Sequence, residues 1–348
     1  MKLLAHNTFS MRYEVLRNNA VFTRIYANDY SPEVQNIESS ELKMSLRGTF
    51  AKYSNEINFL TDRIRPVMII NGEEYPLGVY VVTTETDVSS EGMHLTDIEA
   101  YSLLYLAQQK RIEERLSIAA GVNYITQIVS LLNSCGITDI EADTSDFVFS
   151  SVREDWDIGT SVLEIVNQLL NEINYNPAWV SLNGAVKLTK YTAPTITNVQ
   201  HVYSAGEYSV IESNYSRTTD RYGKYNVFRV TCENPDLEEP MVAVSENNSE
   251  DSPFSTVYLG RILYTEQVDN IPSLSALQDY ADKLRYQSLQ EMETVEFYTA
   301  PSPDHAAYDV VALDNGELAG IYMEMEWRLP MSPDARMTHK ARRIYAGN

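Results

Sequence analysis

A hairpin pattern near the C-terminus gives the clearest structural signal in the chain: residues Asp309–Leu329 read DVVALDNGELAGIYMEMEWRL. In its second half, every second residue is apolar, and the residues between them are aromatic or charged. Period-two alternation over nine residues is typical of a strand with one buried and one solvated face. Asn315-Gly316 supplies two residues that tolerate the positive φ angles of a tight turn. The predicted buried face consists of Ile321, Met323, Met325, Trp327 and Leu329, and the predicted solvated face of Tyr322, Glu324, Glu326 and Arg328.

A second copy of this pattern lies near the N-terminus. The early copy, Val67–Val82, reads VMIINGEEYPLGVYVV, and the late copy, Val310–Met323, reads VVALDNGELAGIYM. Both contain an apolar strand, Asn-Gly-Glu, a short spacer, and then Gly-(Val/Ile)-Tyr followed by an apolar residue. Asn-Gly hairpins are common, so two of them can look alike by chance. We favour the other interpretation, in which two related β-domains lie near the two ends of the chain and a long insertion separates them.

Length and composition limit the class of protein. A chain of 348 residues corresponds to two or three domains. It has no apolar run long enough for a transmembrane helix and no apolar leader, so we expect neither a membrane span nor a signal peptide. Cys135 and Cys232 form no CxxC pair and indicate reduced thiols in a chain made in the cytoplasm. The formal net charge of −22 disfavours binding to nucleic acid or anionic membranes, and its simplest meaning is solubility.

The chain divides by pattern into three regions. Residues 1–105 contain short strand-like segments separated by turn signals and are predicted to form a first β-barrel domain. Residues 106–194 contain two capped helices and an Asn-Gly hairpin, which predict a small α+β domain. Residues 195–348 return to strand patterns, include a helix predicted over 274–292, and are predicted to form a second β-barrel domain. Further predictions are a helix over Ala107–Leu116, strands over Val257–Leu259 and Thr294–Tyr298, and helix caps at Asn123, at Thr160 or Ser161, and at Ser273 or Ser275.

The sequence contains no local motif for catalysis, cofactor binding or metal binding. His6, His94, His201, His305 and His339 are scattered, and none has the spacing of HxH, HxxxH or HExxH. Walker and Rossmann glycine loops are missing from the sequence, and so is the Gly-x-Ser-x-Gly elbow. We therefore predict no catalytic, cofactor-binding or metal-binding residues and no cofactor.

Three acidic groups admit both a chemical and a structural interpretation. The segment Glu141–Asp146 lacks the register of a calcium loop and is predicted to be a solvated loop. Asp155-Trp156-Asp157 could supply paired carboxylates for glycoside chemistry, but stabilisation of a helix N-terminus is favoured. Glu324 and Glu326, with Glu317 nearby, are predicted to form an acidic surface strip. The basic tail is predicted to pair with acidic surface of its own chain or of a neighbour; it comprises Arg336, Lys340, Arg342 and Arg343.

In the C-terminal region, a capped helix with Tyr280-Ala-x-x-Leu284 precedes a strand, Pro301-x-Pro303, Asp309-Val-Val-x-Leu313 and a hairpin. This order resembles the C-terminal barrel of phage tail baseplate hub proteins. That family includes the hubs of contractile phage tails, of defective-prophage particles and of phage-tail-like bacteriocins. The middle region is similar to the insertion domain of the family, and the early hairpin region is similar to its first barrel. The segments that carry these two similarities are Gly121-Val122, Trp156, Gly159-Thr160-Ser161, Ala185–Tyr191 and Leu46–Tyr80.

The resemblance implies a mainly β fold in which two tail-tube-like β-barrel domains flank a small α+β domain. It implies a structural, non-enzymatic hub: a homotrimer whose six barrels form a pseudo-sixfold ring between the tail tube and a central spike protein. The implied partners are further copies of the chain, the spike, the tail tube or a tube-initiator (distal tail) protein, and other baseplate proteins. An acidic lumen would let DNA pass, so neither specific nucleic-acid binding nor membrane insertion is expected. The implied location is the tail tip or baseplate of a virion or related particle, after synthesis in the host cytoplasm.

Two other functions stay open at this point. A tail-associated cell-wall hydrolase would degrade purified cell wall, and a receptor-binding tail-tip protein would bind glycans. The missing catalytic motifs favour the structural hub over the hydrolase.

Overall fold

The structure is a computed structural model that describes residues 7–29, 31–90, 92–206, 209–233, 239–250, 252–290 and 292–345. His6 therefore lies outside the described residues. Strands account for 44% of the chain and helices for 16%, which confirms the prediction of a mainly β fold with a few helices. None of the helices formed by these residues combines the length and the apolar character needed to cross a lipid bilayer.

The N-terminal part is built from β-strands. They are β1 (Phe9–Arg17), β2 (Ala20–Ile25), β3 (Glu33–Ile37), β4 (Met44–Ala51), β5 (Arg63–Ile70), β6 (Glu73–Pro76), β7 (Tyr80–Ser90) and β8 (Met93–Ser102). The sheet runs β1-β5-β7-β8-β4-β3, while β2 pairs with β1 and β6 pairs with β5. Just after β2, Ala27 forms a bridge with Phe50 of β4, which closes the sheet into a barrel. The tight turn between β5 and β6 uses Asn71 (φ 53°) and Gly72 (φ 84°), as the sequence predicts.

The middle part consists of helices packed on a small sheet. Its elements are α1 (Leu104–Gln109), α2 (Tyr124–Ser134), β9 (Ile140–Ala142), α3 (Val162–Glu172), β10 (Trp179–Val180) and β11 (Val186–Leu188). Both helix caps predicted for this part of the chain form. Asn123 Oδ1 accepts the N–H of Thr126 at 3.1 Å, and Ser161 Oγ accepts the N–H of Glu164 at 3.2 Å.

The C-terminal part contains a second set of strands and the longest helix. After a 3₁₀ turn (Ile196–Asn198), its elements are β12 (Val199–Ser204), β13 (Ile211–Thr219), β14 (Val227–Cys232), β15 (Met241–Glu246), α4 (Thr256–Leu259), β16 (Leu263–Val268), α5 (Leu274–Gln290), β17 (Glu293–Thr299), β18 (Val310–Asp314), β19 (Ala319–Pro330) and β20 (Met337–Ile344). Six of these strands pair in the order β12-β18-β19-β20-β17-β13, and we call this set the second barrel. The other three form a separate sheet, β15-β14-β16, whose core is shared with α5. This small sheet was not distinguished from the barrel by its sequence pattern.

Two element predictions are wrong. The helix predicted over Ala107–Leu116 ends at Gln109, because the chain then extends and Arg111 forms a bridge with Ser161. Residues Val257–Leu259, predicted to form a strand, lie in the short helix α4, and Ser255 caps the N-terminus of this helix. In both places tertiary pairing or a cap outweighs the local residue preference.

The two ends of the chain share one strand order. Six strands of each end correspond in their order along the chain and in their order across the sheet. The corresponding pairs are β1 with β12, β3 with β13, β4 with β17, β5 with β18, β7 with β19 and β8 with β20. Equivalent pairs such as β4–β8 and β17–β20 are antiparallel in both. One pair differs, since β1 is antiparallel to β5 whereas β12 is parallel to β18. The repeated hairpin pattern lies at equivalent places, from β5 to β7 and from β18 to β19.

Strand β19 belongs to both ends of this arrangement. Its first residues, Ala319–Met323, pair with β18, and its last residues, Glu326–Pro330, pair with β3. β20 lies along the opposite side of both segments. Within the described residues, the strands of the two ends therefore form one sheet of fourteen strands.

A β-bulge in β19 reverses which face of the strand is buried. Glu324 pairs with Ala341 and Glu326 pairs with Lys340, so Met325 is the extra residue. Before the bulge, Tyr322 packs in the core of the second barrel; after it, Trp327 packs in the core of the first barrel. The predicted faces are therefore wrong for Tyr322 and Glu324, which are buried, and a second-barrel position for Trp327 is wrong as well.

The hairpin of the middle part docks on the first barrel. The N–H of Gly78 donates to the carbonyl of Leu182 at 2.7 Å. Gly184 lies against Val79, and a Cβ at this position would be 2.6 Å from Val79 Cγ2. A φ of 97° and this close approach both require glycine at position 184.

Candidate functional site

Several of the charged residues singled out from the sequence have partners within the chain. In the acidic loop and before α3, the contacts are Glu141–Lys187, Asp143 Oδ2 with the N–H of Lys190 (2.8 Å) and Asp155–Arg153 (2.5 Å). In the basic tail, they are Arg336–Glu212 (2.8 Å), Arg342–Glu38 (2.9 Å) and Arg343–Glu293 (2.9 Å). The tail thus pairs with acidic residues of its own chain, as one of the two predicted alternatives states.

Three histidines that are far apart in sequence meet in the second barrel. His201 lies on β12, His305 in the connection between β17 and β18, and His339 on β20. The ring centroids of His201 and His305 are 3.8 Å apart in a stacked arrangement, and those of His305 and His339 are 4.8 Å apart. His94, in contrast, is exposed on β8. The histidines are scattered in sequence but not in space, because strand pairing brings three of them together.

Glu324 lies at the centre of this group, which we call the histidine cluster (His201, His305, Glu324 and His339). Its Oε2 is 2.5 Å from Nδ1 of His305, and its Oε1 is hydrogen-bonded to Nδ1 of His339. The side chains of these three residues are at most 1% exposed. The prediction that Glu324 belongs to an acidic surface strip is therefore wrong, since the bulge at Met325 turns it inward.

Hydroxyl and carboxylate groups hold the outer edges of the imidazoles. Tyr203 Oη is 2.5 Å from Nε2 of His305, and Thr299 Oγ1 is 2.8 Å from Nε2 of His339. Outside these contacts, Nε2 of His201 is 3.0 Å from Oδ2 of Asp309. These contacts fix the orientation of each ring in the cluster.

Burial and mutual attraction have opposite effects on the acidity of the cluster. Burial raises the pKa of Glu324, but the neighbouring His305 and His339 lower it to about 2. Burial lowers the pKa of His305, and attraction to Glu324 more than reverses this effect, so that its pKa is raised. For His339 burial is the stronger effect and its pKa is lowered. Glu324 is therefore a buried carboxylate anion that needs positive charge beside it.

The cluster has the donor atoms of a metal site but no access for a substrate. The ligand atoms of His305, Glu324 and His339 all lie within 4.8 Å of one another, as do those of His201, Asp304 and His305. Because the first set is enclosed, it can hold an ion or protons but cannot present them to an outside molecule. The cluster was not predicted because its members come from β12, the β17–β18 connection, β19 and β20, which are separated along the chain. No local spacing signals such a site.

A polar cavity of about 340 Å³ lies where the β3–β4 connection, the middle part, α5 and the C-terminal strands meet. Its lining includes Glu38, Lys43, Tyr191, Lys283, Tyr308 and Arg342. Burial lowers the pKa of Lys283 to about 8. Its Nζ donates to the carbonyl of Tyr175 at 3.2 Å, which joins α5 to the middle part.

Exposed apolar side chains concentrate around the small sheet. Val242 and Val244 of β15 are 41% and 45% exposed, and Leu263 of β16 is 52% exposed. The neighbouring α4 adds Tyr258 and Leu259, which are 61% and 50% exposed. Exposed apolar side chains that lie near one another commonly mark a binding site for another protein. We call this group, Val242, Val244, Tyr258, Leu259 and Leu263, the apolar patch.

No family model matches the chain, and no curated protein matches it in sequence. Solved structures do match over nearly the whole chain. A tail protein from Neisseria meningitidis MC58 is 11% identical with a TM-score of 0.67, covering 95% of this chain and 96% of that one. The 43 kDa tail protein of prophage MuSo2 from Shewanella oneidensis is 10% identical with a TM-score of 0.64, covering 97% and 98%.

A third similar structure comes from a secretion system. The c3393 protein of E. coli, a component of the type VI secretion system, is 8% identical with a TM-score of 0.54, covering 97% of this chain and 77% of that one. That protein is described as structurally similar to the T4 bacteriophage tail proteins gp27 and gp5. These likenesses show that the chain has the fold of phage tail proteins, which confirms the resemblance seen in the sequence.

Proposed function

We propose that this chain, with the fold of a phage tail protein, is a structural hub subunit of a tail tip or baseplate. In this proposal, residues 1–105 and 195–348 are two tube-like barrel domains and residues 106–194 are the insertion between them. The observation that carries the proposal is the strand order shared by the two ends of one chain. A chain with two equivalent barrels contributes two similar units to a ring.

Symmetry gives this duplication its use. Three chains related by a threefold axis present six barrels, and six barrels can match a tube built from six-membered rings. The trimer would then join the tail tube on one side to a threefold spike protein on the other. The likeness to a secretion-system component described as similar to gp27 and gp5 supports this arrangement.

The apolar patch supports contact between copies of the chain. Val244 and Leu259 expose about half of their side chains, and their burial under another copy of the chain would stabilise an assembly. The net charge of −22 supports a passage from which DNA is repelled rather than bound. The location follows from the role: the tail tip or baseplate of a particle, with tube, spike and other baseplate proteins as partners.

Native mass spectrometry of the purified full chain tests the trimer. We expect a species of about 118 kDa, which is three chains of 39.5 kDa, to dominate at micromolar concentration. Val244→Glu places a charge in the apolar patch and should shift the species to the monomer. Val88→Glu changes an exposed valine of β7 and serves as the matched control, which should stay trimeric.

Other results would replace the proposal. A wild-type chain that stays monomeric up to about 100 μM would refute the self-assembling trimer. Release of soluble fragments from purified peptidoglycan by the same preparation would support the hydrolase instead, and saturable binding to cell-surface glycans would support the receptor-binding protein. The expected absence of enzymatic activity stays a prediction until these assays are done.

A further inference from the structure

The donor atoms at the centre of the histidine cluster face one another inside the protein. Both oxygens of Glu324 point at an imidazole Nδ1, one from His305 and one from His339. All three side chains are withdrawn from water. A carboxylate in such a place requires a cation, because water cannot compensate its charge. Either protons on the imidazoles or a metal ion can supply that charge.

The hydrogen bonds outside the centre indicate where the proton of His339 lies. Thr299 Oγ1 donates to the carbonyl of Ala300 at 2.9 Å. A hydroxyl has one hydrogen, so towards Nε2 of His339, 2.8 Å away, Thr299 acts as acceptor. A neutral His339 therefore carries its hydrogen on Nε2. Its Nδ1 then presents a lone pair to Oε1 of Glu324, and these two lone pairs repel unless a cation lies between them.

His305 is held in the corresponding way. Its Nε2 is 2.5 Å from Tyr203 Oη, which can accept a hydrogen bond from it, and its Nδ1 faces Oε2 of Glu324. The stacked His201, itself bound to Asp309, fixes the plane of the His305 ring. Metal-binding histidines usually donate their second ring N–H to an oxygen, which both outer contacts here allow.

We propose that His305 Nδ1, His339 Nδ1 and the carboxylate of Glu324 form a structural binding site for a divalent transition metal of the Zn²⁺ type. Two imidazole nitrogens and a carboxylate are donors of the kinds that Zn²⁺ accepts. Bonds of 2.0–2.2 Å in a tetrahedral site separate the donor atoms by about 3.3 Å. Loading therefore requires His305 Nδ1 and Glu324 Oε2, at present 2.5 Å apart, to separate by about 0.8 Å. The ion would tie β19, β20 and the β17–β18 connection together next to the bulge.

This inference does not depend on the proposed hub function and is tested by metal content. The full chain is expressed and refolded with ZnSO₄, desalted and analysed by elemental mass spectrometry. We expect about one zinc per wild-type chain and loss of it in Glu324→Gln and His339→Gln. His94→Gln changes the exposed histidine of β8 and should keep the zinc. Removal of zinc with a chelator should lower the Tm of wild type and leave the Tm of Glu324→Gln unchanged.

X-ray absorption of the zinc-loaded wild type keeps the test decisive if the variants do not fold. Imidazole nitrogen and carboxylate oxygen around zinc, without sulfur, would support the site; sulfur neighbours would place the zinc on cysteine thiols and overturn it. A zinc content below about 0.1 per chain after refolding would also overturn it. The same holds for equal zinc content in wild type and Glu324→Gln.

Discussion

Replacement of Trp327 with alanine is expected to destabilise the first barrel, although the first half of its strand, β19, belongs to the second barrel. The indole is 1% exposed and packs in the same core as Leu46 and Phe50. Its Nε1 has no hydrogen-bond partner among the described residues, so the substitution removes packing and no hydrogen bond. The cavity left behind is therefore the main effect of the change.

The magnitude follows from the burial of the side chain. Truncation of a fully buried tryptophan costs about 3–5 kcal/mol. A chain of ordinary stability, about 5–15 kcal/mol, should tolerate this loss and stay folded. If amides of the first barrel exchange through opening of its core, their exchange should accelerate by a factor of about 10² to 10⁴.

Hydrogen exchange measured by mass spectrometry on peptides from each strand is the suitable assay. In Trp327→Ala, we expect the largest acceleration in β4 and β8, and a smaller one in β13 and β17. Phe297→Ala is the matched variant, because Phe297 is 0% exposed in the second core and should produce the opposite distribution. If Trp327→Ala accelerated β13 and β17 as much as or more than β4 and β8, the assignment of the indole to the first core would be refuted.

Further predictions concern buried charge, glycine and the middle part. Lys283 has its pKa lowered from 10.5 to about 8 by burial, so the folded state releases its proton first and stability should rise between pH 8 and 10.5. In urea-unfolding curves, Lys283→Met should remove this rise of the unfolding free energy with pH. At pH 7 it should increase the unfolding free energy by up to about 3 kcal/mol, less the contribution of the two hydrogen bonds that are lost. A lower unfolding free energy of the variant at pH 7 would contradict the prediction. Gly184→Ala should lower the Tm more than Gly121→Ala, since both have positive φ but only Gly184 faces Val79; equal effects would exclude the close approach as the cause. Arg153→Met should destabilise by about 3–5 kcal/mol in thermal unfolding, because it leaves the buried Glu172, 3.0 Å away, without its cation; an effect below about 1 kcal/mol would show that the pair is not needed.

The features that the sequence predicts well are local ones. The caps at Asn123 and Ser161 form, and Ser273 Oγ accepts the N–H of Ala276 at the start of α5, because a cap depends on residues a few positions apart. The repeated Asn-Gly-Glu pattern also located equivalent hairpins, since strand periodicity and turn residues are both written along the chain.

The features that the sequence does not predict depend on contacts between distant strands. Nothing near Met325 signals a bulge, and without the bulge the alternation assigns Glu324 to the solvent. The second half of β19 pairs with β3, almost 300 residues earlier, and strand periodicity gives no information about which strand is the neighbour. The histidine cluster depends on the bulge and on the pairing of β19 with β20, so the absence of a local motif was not informative about it.

The continuity of β19 from β18 to β3 has a mechanical consequence. Hydrogen bonds between strands lie nearly perpendicular to the strands, so tension along the strand axis loads a whole row of bonds at once. Tension across the axis would instead open the same bonds one after another. A load that pulls the two barrels apart along β19 therefore acts on one continuous strand, which pairs with β18 in its first half and with β3 in its second.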